Sequence, residues 1–216
     1  RPVYFAFTVP ETQRLGLEDY LVSEGFALRL MPVMARSDQK ARERLVNTDA
    51  TYEAIMYKYR WGNMKGAAYL DPTSRGMVAE SVKIFTDTAE MLITEDNANA
   101  ASDVVNRAML VLPEQIGQVD IALQYPVLAD QLYALGETDK ANGLVDSNYR
   151  FLADQLAYYA DVADTHQLGQ PEGMGVRNSL YALQQFSHVM ELRGEEKRHQ
   201  EIQELFDNYR QLFFGG

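Results

Sequence analysis

The sequence predicts a mainly α fold: a small strand–helix–strand unit at residues 1–33, followed by antiparallel helix pairs. Residues 3–9 form an apolar run of aromatic and β-branched side chains, and Phe26, Leu28 and Leu30 alternate with Ala27, Arg29 and Met31 at the period of a half-buried strand. From Asp49 onward the apolar period lengthens to that of a helix. Val78, Val82, Phe85, Ala89 and Leu92 fall at i, i+4, i+7 spacing.

Taken in order, Pro10 stops the first strand. Gly16–Ser23 is expected as a short helix with Leu17, Tyr20 and Leu21 on one face, and Gly25 leads into a second strand over 26–33. Residues 34–48 carry Arg36, Ser37, Asp38, Gln39, Lys40, Arg42, Glu43 and Arg44 and read as a loop or linker. Asp49 or Thr51 caps a helix running to about residue 61, which Gly62 ends. Asp71-Pro72-Thr73 is a helix-start signal, because a carboxylate favours the positive end of the helix dipole; a long helix follows over about 75–94. Residues 98–112 form the next helix, closed by Pro113. Residues 118–135 form another, kinked or restarted at Pro126 and ended by Gly136. A long helix covers about 138–163. Gly169, Pro171, Gly173 and Gly175 make 164–175 a loop, and 176–192, Gly194 and 195–214 complete a last hairpin. The implied division is a small α/β unit at 1–36, a linker at 37–48 and a helical repeat-like region at 49–216.

The helical region carries traces of an internal repeat. Ala89, Leu92, Ala101, Val105, Ala108 and Pro113 match the tetratricopeptide pattern, which places small residues where paired helices touch and a proline at the close of the unit. Asp96 holds the turn in place of glycine. A second unit offers Ala129, Leu132, Gly136 and Ala141; in a third, Gly194 holds the turn but His199 replaces the small residue. The turns lie 40 and then 58 residues apart, so the repeat is degenerate, with insertions. An irregular helical bundle is the alternative.

Composition excludes several function classes. Lys and Arg number 20 against 31 Asp and Glu, a formal charge of −11, which repels phosphate backbones and anionic membrane surfaces; nucleic acid is not an expected partner. Without cysteine there is no disulfide, thiolate catalysis or cysteine-ligated metal. No apolar run approaches the ~20 residues of a membrane-spanning helix. A sequence that opens inside an apolar β-type run is expected to be a piece of a longer protein. Gly173-Met174-Gly175 lacks the lysine and preceding strand of a phosphate loop. His166, His188 and His199 form no zinc motif, and no cofactor or metal is expected. Carboxylates such as Asp19 and Glu24 are too abundant for any pair to signal acid–base chemistry.

Tyr52, Tyr57, Tyr59 and Trp61 are unusually dense. At helical spacing Tyr52, Met56 and Tyr59 share one face, and Tyr57 and Trp61 the other. The segment reads as packing between two subdomains or as a sugar- or peptide-contacting platform. Stacked helix pairs also generate concave surfaces that hold partner segments. The candidates expected to be exposed there are Tyr125, Tyr133, Tyr158, Tyr159 and Arg177, since tyrosine and arginine combine contact area with directed hydrogen bonds.

Arg1-Pro2-Val3-Tyr4-Phe5-Ala6, Leu17-Glu18-Asp19-Tyr20-Leu21 and Glu24-Gly25-Phe26-Ala27-Leu28-Arg29-Leu30-Met31-Pro32, with Tyr57-Lys58-Tyr59-Arg60-Trp61-Gly62 and Tyr69-Leu70-Asp71, carry a resemblance. They resemble the post-membrane region of a bacterial family of large multi-spanning membrane proteins, long labelled a domain of unknown function. That family is similar to protein O-mannosyltransferases of the transmembrane C-type glycosyltransferase superfamily. The distinctive part lies within 1–71; the helical remainder looks like the family's repeat-type tail.

The resemblance implies a parent enzyme that transfers sugar from a lipid-linked donor to a protein acceptor. Its catalytic carboxylates would lie on an extracytoplasmic loop outside this sequence. No catalytic residue is carried over, and the chain alone is expected to be inactive. The implied location is the periplasmic side of the bacterial inner membrane, with acceptor protein or peptide and the chain's own membrane domain as partners. The role would be to position the acceptor or brace the membrane domain. A free-standing helical-repeat adaptor that binds peptide segments is the alternative. A soluble carbohydrate-active enzyme, which would need a carboxylate-lined pocket, is a third.

Overall fold

A computed structural model describes residues 1–35, 45–66, 69–113 and 124–215. The elements are β1 (Val3–Ala6), β2 (Leu21–Glu24), β3 (Ala27–Leu30), α1 (Thr48–Glu53), α2 (Pro72–Thr94), α3 (Ala98–Val111), α4 (Tyr125–Ala134), α5 (Thr138–Thr165), α6 (Gln170–Leu192) and α7 (Glu196–Phe214). A small antiparallel sheet thus precedes helix pairs, as the sequence predicts. Most of the expected charged loop (36–44) and the start of the expected helix at 118–135 lie outside the described residues. The chain forms two compact units: Arg1–Gly62 with Ile84–Ala108, and Asn63–Lys83 with Met109–Gly216.

In the first unit the strand order is β1-β3-β2, with both pairings antiparallel. Val3 and Leu21 both pair with Leu30, and Glu24 pairs with Ala27. The expected helix at 16–23 is instead a single 3-10 turn, Glu18–Tyr20, followed by a strand. Leu15 and Gly16 both have positive φ (61° and 70°), which interrupts a helix, and the few residues beyond them are too short to nucleate one. Leu21 and Ser23 point inward, with Val22 and Glu24 half-buried, a strand period. Glu24 and Ala27 close a two-residue hairpin loop in which Gly25 takes φ +71°, as two-residue loops with glycine in the first central position require.

That loop is held from α1. The Gly25 N–H donates to Thr51 Oγ1 (3.1 Å), the Phe26 N–H donates to the Tyr59 hydroxyl (3.0 Å), and that hydroxyl donates to the Glu24 carbonyl (3.4 Å). A Cβ at Gly25 would meet the Tyr59 hydroxyl, so glycine is required twice over. A run of ring contacts, Phe7–Phe26 (5.3 Å), Phe26–Tyr59 (5.2 Å), Tyr59–Trp61 (5.8 Å) and Trp61–Phe85 (4.9 Å), completes the core here. The cap of α1 is Asn47, whose Oδ1 accepts from the Ala50 N–H (3.2 Å), instead of Asp49 or Thr51. After Glu53 the helix widens into a π turn, Ala54–Lys58, closed by the Tyr59 N–H on the Ala54 carbonyl (2.8 Å).

Three helix reversals are built alike. At each, a residue with left-handed backbone, Asp96 (φ 60°), Gly136 (79°) or Gly194 (72°), follows the first helix. The next N–H reaches back to Leu92, Leu132 or Met190 (2.8–2.9 Å), and the turn residue's own N–H bonds Ile93, Tyr133 or Glu191 (3.0–3.2 Å), the Schellman pattern. Counted from the turn residue, the buried positions coincide: Phe85, Tyr125 and Leu183; Ala89, Ala129 and Ser187; Leu92, Leu132 and Met190; Val104, Leu144 and Ile202. Ala101 and Ala141 are fully buried, and Ala108 with them, as close helix approach requires.

The second unit corrects the expected loop at 164–175. Only residues 166–169 are non-helical, and α6 starts at Gln170. Pro171 sits in the first turn, where its missing N–H has no intrahelical partner to lose. Pro126 likewise begins α4 and does not kink it. Gly175 admits the Tyr159 hydroxyl of α5, which a Cβ would strike. Gly175→Ala is therefore expected to destabilise by about 1 kcal/mol, overpacking of ~1–3 kcal/mol less a helix-propensity gain of ~1. Tyr159→Phe in the same chain should recover part of the loss in urea unfolding. Asp96→Gly, which relieves a left-handed non-glycine residue, should raise stability by up to about 1 kcal/mol.

Candidate functional site

The five predicted surface residues separate. Tyr125 is 1% exposed and its hydroxyl donates to the Pro113 carbonyl; it is core, at the position Phe85 and Leu183 fill in the other hairpins. Tyr133 is half-buried and donates to Asn142 Oδ1 (2.5 Å), with Met190 Sδ at 3.7 Å. Burial, with the Glu195 and Asp146 carboxylates against the Arg198 guanidinium, pushes its phenol up to about 12. Tyr158 is 57% exposed and lies edge-on to Tyr159 (5.5 Å). Tyr159 is half-buried and rests on Gly175, while Arg177, two residues further along α6, is exposed. Tyr158 and Arg177 are exposed, on α5 and α6 respectively, whereas Tyr125 and Tyr133 serve packing.

Sequence reading missed the polar network around Arg198. Its Nε and Nη2 donate to Asp146 Oδ1 and Oδ2 (3.0 and 3.3 Å), and its Nη1 to Glu195 Oε2 (3.2 Å). Asp146, Tyr149, Arg150, Lys197, Arg198 and Glu201 line a cleft of about 400 Å³ between α5 and α7. Arg193 reaches across to Asp130 Oδ1 (2.7 Å). Partners 52 and 63 residues apart leave no local sequence signal. In the third hairpin, Ser187, His199 and Gln203 take the places of Ala89, Ala101 and Val105 and of Ala129, Ala141 and Val145. The Ser187 hydroxyl lies 3.0 Å from His199 Nδ1 and donates to Gln203 Oε1 (3.0 Å). The histidine is here a packing residue that brings its own hydrogen bonds.

In the first unit the Glu24 carboxylate is a junction. It accepts from Asn47 Nδ2 (2.9 Å), Arg29 Nη1 (3.2 Å) and the Tyr4 hydroxyl (3.0 Å), joining β1, β3 and the cap of α1. Burial pushes the carboxyl up, but the hydrogen bonds from Asn47, Arg29 and Tyr4 prevail, and its pKa lies below the usual glutamate value. Asn47 caps α1 with its oxygen and holds Glu24 with its nitrogen. Among the described residues, no three His, Asp or Glu side chains are placed to hold a metal ion, and no helix is long and apolar enough to cross a membrane.

Residues 1–50 match the family model TMEM260-associated domain 2. The matched segment holds the three strands of the sheet, the Glu24 junction and the Asn47 cap. Its hairpin loop is anchored by Thr51 and Tyr59, just beyond the match. No curated protein and no solved structure matches the chain.

Because the folded pKa of Glu24 is depressed, its contribution is present in full above the ordinary glutamate pKa and is lost as pH falls through the lower folded value. Urea unfolding followed with pH should show this acid-side loss, and Glu24→Gln should flatten it. An unchanged acid limb in the variant would remove Glu24 from this role.

Proposed function

We propose that the chain is a non-catalytic, extracytoplasmic domain of a bacterial membrane protein glycosyltransferase of the O-mannosyltransferase kind, positioning acceptor protein or bracing the membrane domain. The observation that carries this reading is the match of residues 1–50 to a TMEM260-associated domain, TMEM260 being linked to O-mannosyl transfer. The remaining motifs of the sequence resemblance, Tyr57–Gly62 and Tyr69–Asp71, extend the likeness past the matched segment. Catalysis is assigned to the membrane part, on a loop facing the periplasm. The acceptor-contacting role is assigned to Tyr158 and Arg177, the two predicted residues that are exposed. The repeated helix reversals, with their buried small residues, also suit a free-standing adaptor for peptide segments. About ten apolar spans encoded upstream of Arg1, each of ~20 residues, would favour the transferase.

Two outcomes are expected. The purified chain alone turns over no lipid-linked sugar; turnover by it would refute the placement of catalysis elsewhere. In the full-length parent, Tyr158→Ala with Arg177→Ala should reduce glycosylation of protein acceptors several-fold and spare short peptides. Both residues are exposed, so folding should persist, and unchanged protein glycosylation would remove the surface from this role.

A further inference from the structure

Of the dense aromatic segment, Tyr59 and Trp61 are consumed by the core, but Tyr57 is not. It is 74% exposed. Its ring nevertheless stands edge-on to Tyr52, centroids 6.3 Å apart at 77°. The Tyr52 hydroxyl donates to Asp103 Oδ2 of α3 (3.3 Å). Residues five apart do not meet on an α-helix, whose neighbours are three or four apart. They meet here because the helix widens at Ala54–Lys58 into a π turn with i→i+5 closure. Such turns are rare and concentrate at functional sites. The helix ends at Lys58, and Tyr59 turns to extended backbone, so Tyr57 and Trp61 no longer share a helix face. The chain thus departs from α geometry and presents a fixed tyrosine corner to solvent, with a carboxylate at its base.

The chemistry around the corner mixes donors and acceptors. The Asp103 carboxylate accepts, and the two phenols accept and donate. Asn99 precedes and Asn106 follows Asp103 at helical spacing on the same face of α3, and Asn106 Nδ2 donates to Ser102 Oγ (3.2 Å). Amide, hydroxyl and carboxylate groups beside an exposed ring suit a ligand with an apolar C–H face and a rim of hydroxyls. A cation would need acceptors only, and an anion is opposed by Asp103 and by the chain's charge of −11.

We propose that Tyr57, Tyr52 and Asp103 form a carbohydrate-binding site that takes a neutral pyranose, its apolar face on the Tyr57 ring and its hydroxyls on Asp103 and the phenols. This site belongs to the first unit and does not involve Tyr158 or Arg177, so it stands or falls apart from the transferase assignment.

The test is saturation-transfer NMR on the purified chain with methyl glycosides of mannose, glucose and galactose. Saturable transfer is expected to at least one of them. Tyr57→Ala should weaken it by about tenfold, as loss of an exposed stacking ring does, and Tyr52→Phe, which keeps the ring but frees Asp103, by several-fold. Circular dichroism should not change in either variant. Competition with an O-glycosylated peptide and with a lipid-linked sugar in detergent tells protein-borne from lipid-borne sugar. No saturable transfer, transfer undiminished in Tyr57→Ala, displacement by neither competitor, or stronger binding of N-acetyl-lysine methylamide would each overturn the proposal.

Discussion

The helical part of this protein depends on one backbone constraint: a left-handed residue after Glu95, after Leu135 and after Arg193 that reverses the chain. The two bonds that accompany it fix the second helix relative to the first, and with it the register of every buried position. Once Asp96, Gly136 and Gly194 adopt positive φ, Leu92, Leu132 and Met190 are drawn under the turn and Val104, Leu144 and Ile202 come to face inward. Glycine does this without a steric penalty, and aspartate tolerates it better than most residues. The turn is therefore a stronger mark of the repeat than its length, which insertions in α5 and α6 obscure.

Within that register the third hairpin shows how a polar core position is tolerated. Ser187, His199 and Gln203 replace alanine, alanine and valine together, and each satisfies another. Ser187 is buried and His199 and Gln203 half-buried, so changing either partner alone takes a hydrogen bond from the Ser187 hydroxyl. A second recurring device is glycine under a tyrosine hydroxyl. Tyr59 over Gly25 docks the sheet loop on α1, and Tyr159 over Gly175 docks α6 on α5. In both places the absence of a side chain lets a long aromatic reach the backbone.

These constraints also sort the aromatic residues by role. Tyr125, Tyr59 and Trp61 are committed to packing, and Tyr133 to a bond between helices. Tyr57 and Tyr158 keep most of their rings in water, and each is steadied by a neighbouring tyrosine. The family match ends at residue 50, yet the sheet it covers is completed by Thr51 and Tyr59. The matched segment and α1 accordingly form one structural piece, and the π turn that carries Tyr57 is its far edge.

Fold class, most of the helices and the small residues between them could be read from the chain, because period and capping are local properties. Asp71 before Pro72 and the αL residues at the reversals were readable for that reason, as were the buried Ala89, Ala101 and Ala108. The fold settled that 21–24 is a strand, since its pairing partner β3 outweighs a weak helical pattern, and that Gly173 and Gly175 lie inside a helix, where Gly175 leaves room for Tyr159. It also decided which tyrosines face water. Tyr125 became core through a register counted from a turn eleven residues away, and Tyr57 turned outward through a helix widening that spacing rules do not foresee. The Arg198–Asp146 and Arg193–Asp130 pairs join residues far apart in the chain, where sequence patterns carry no distance information.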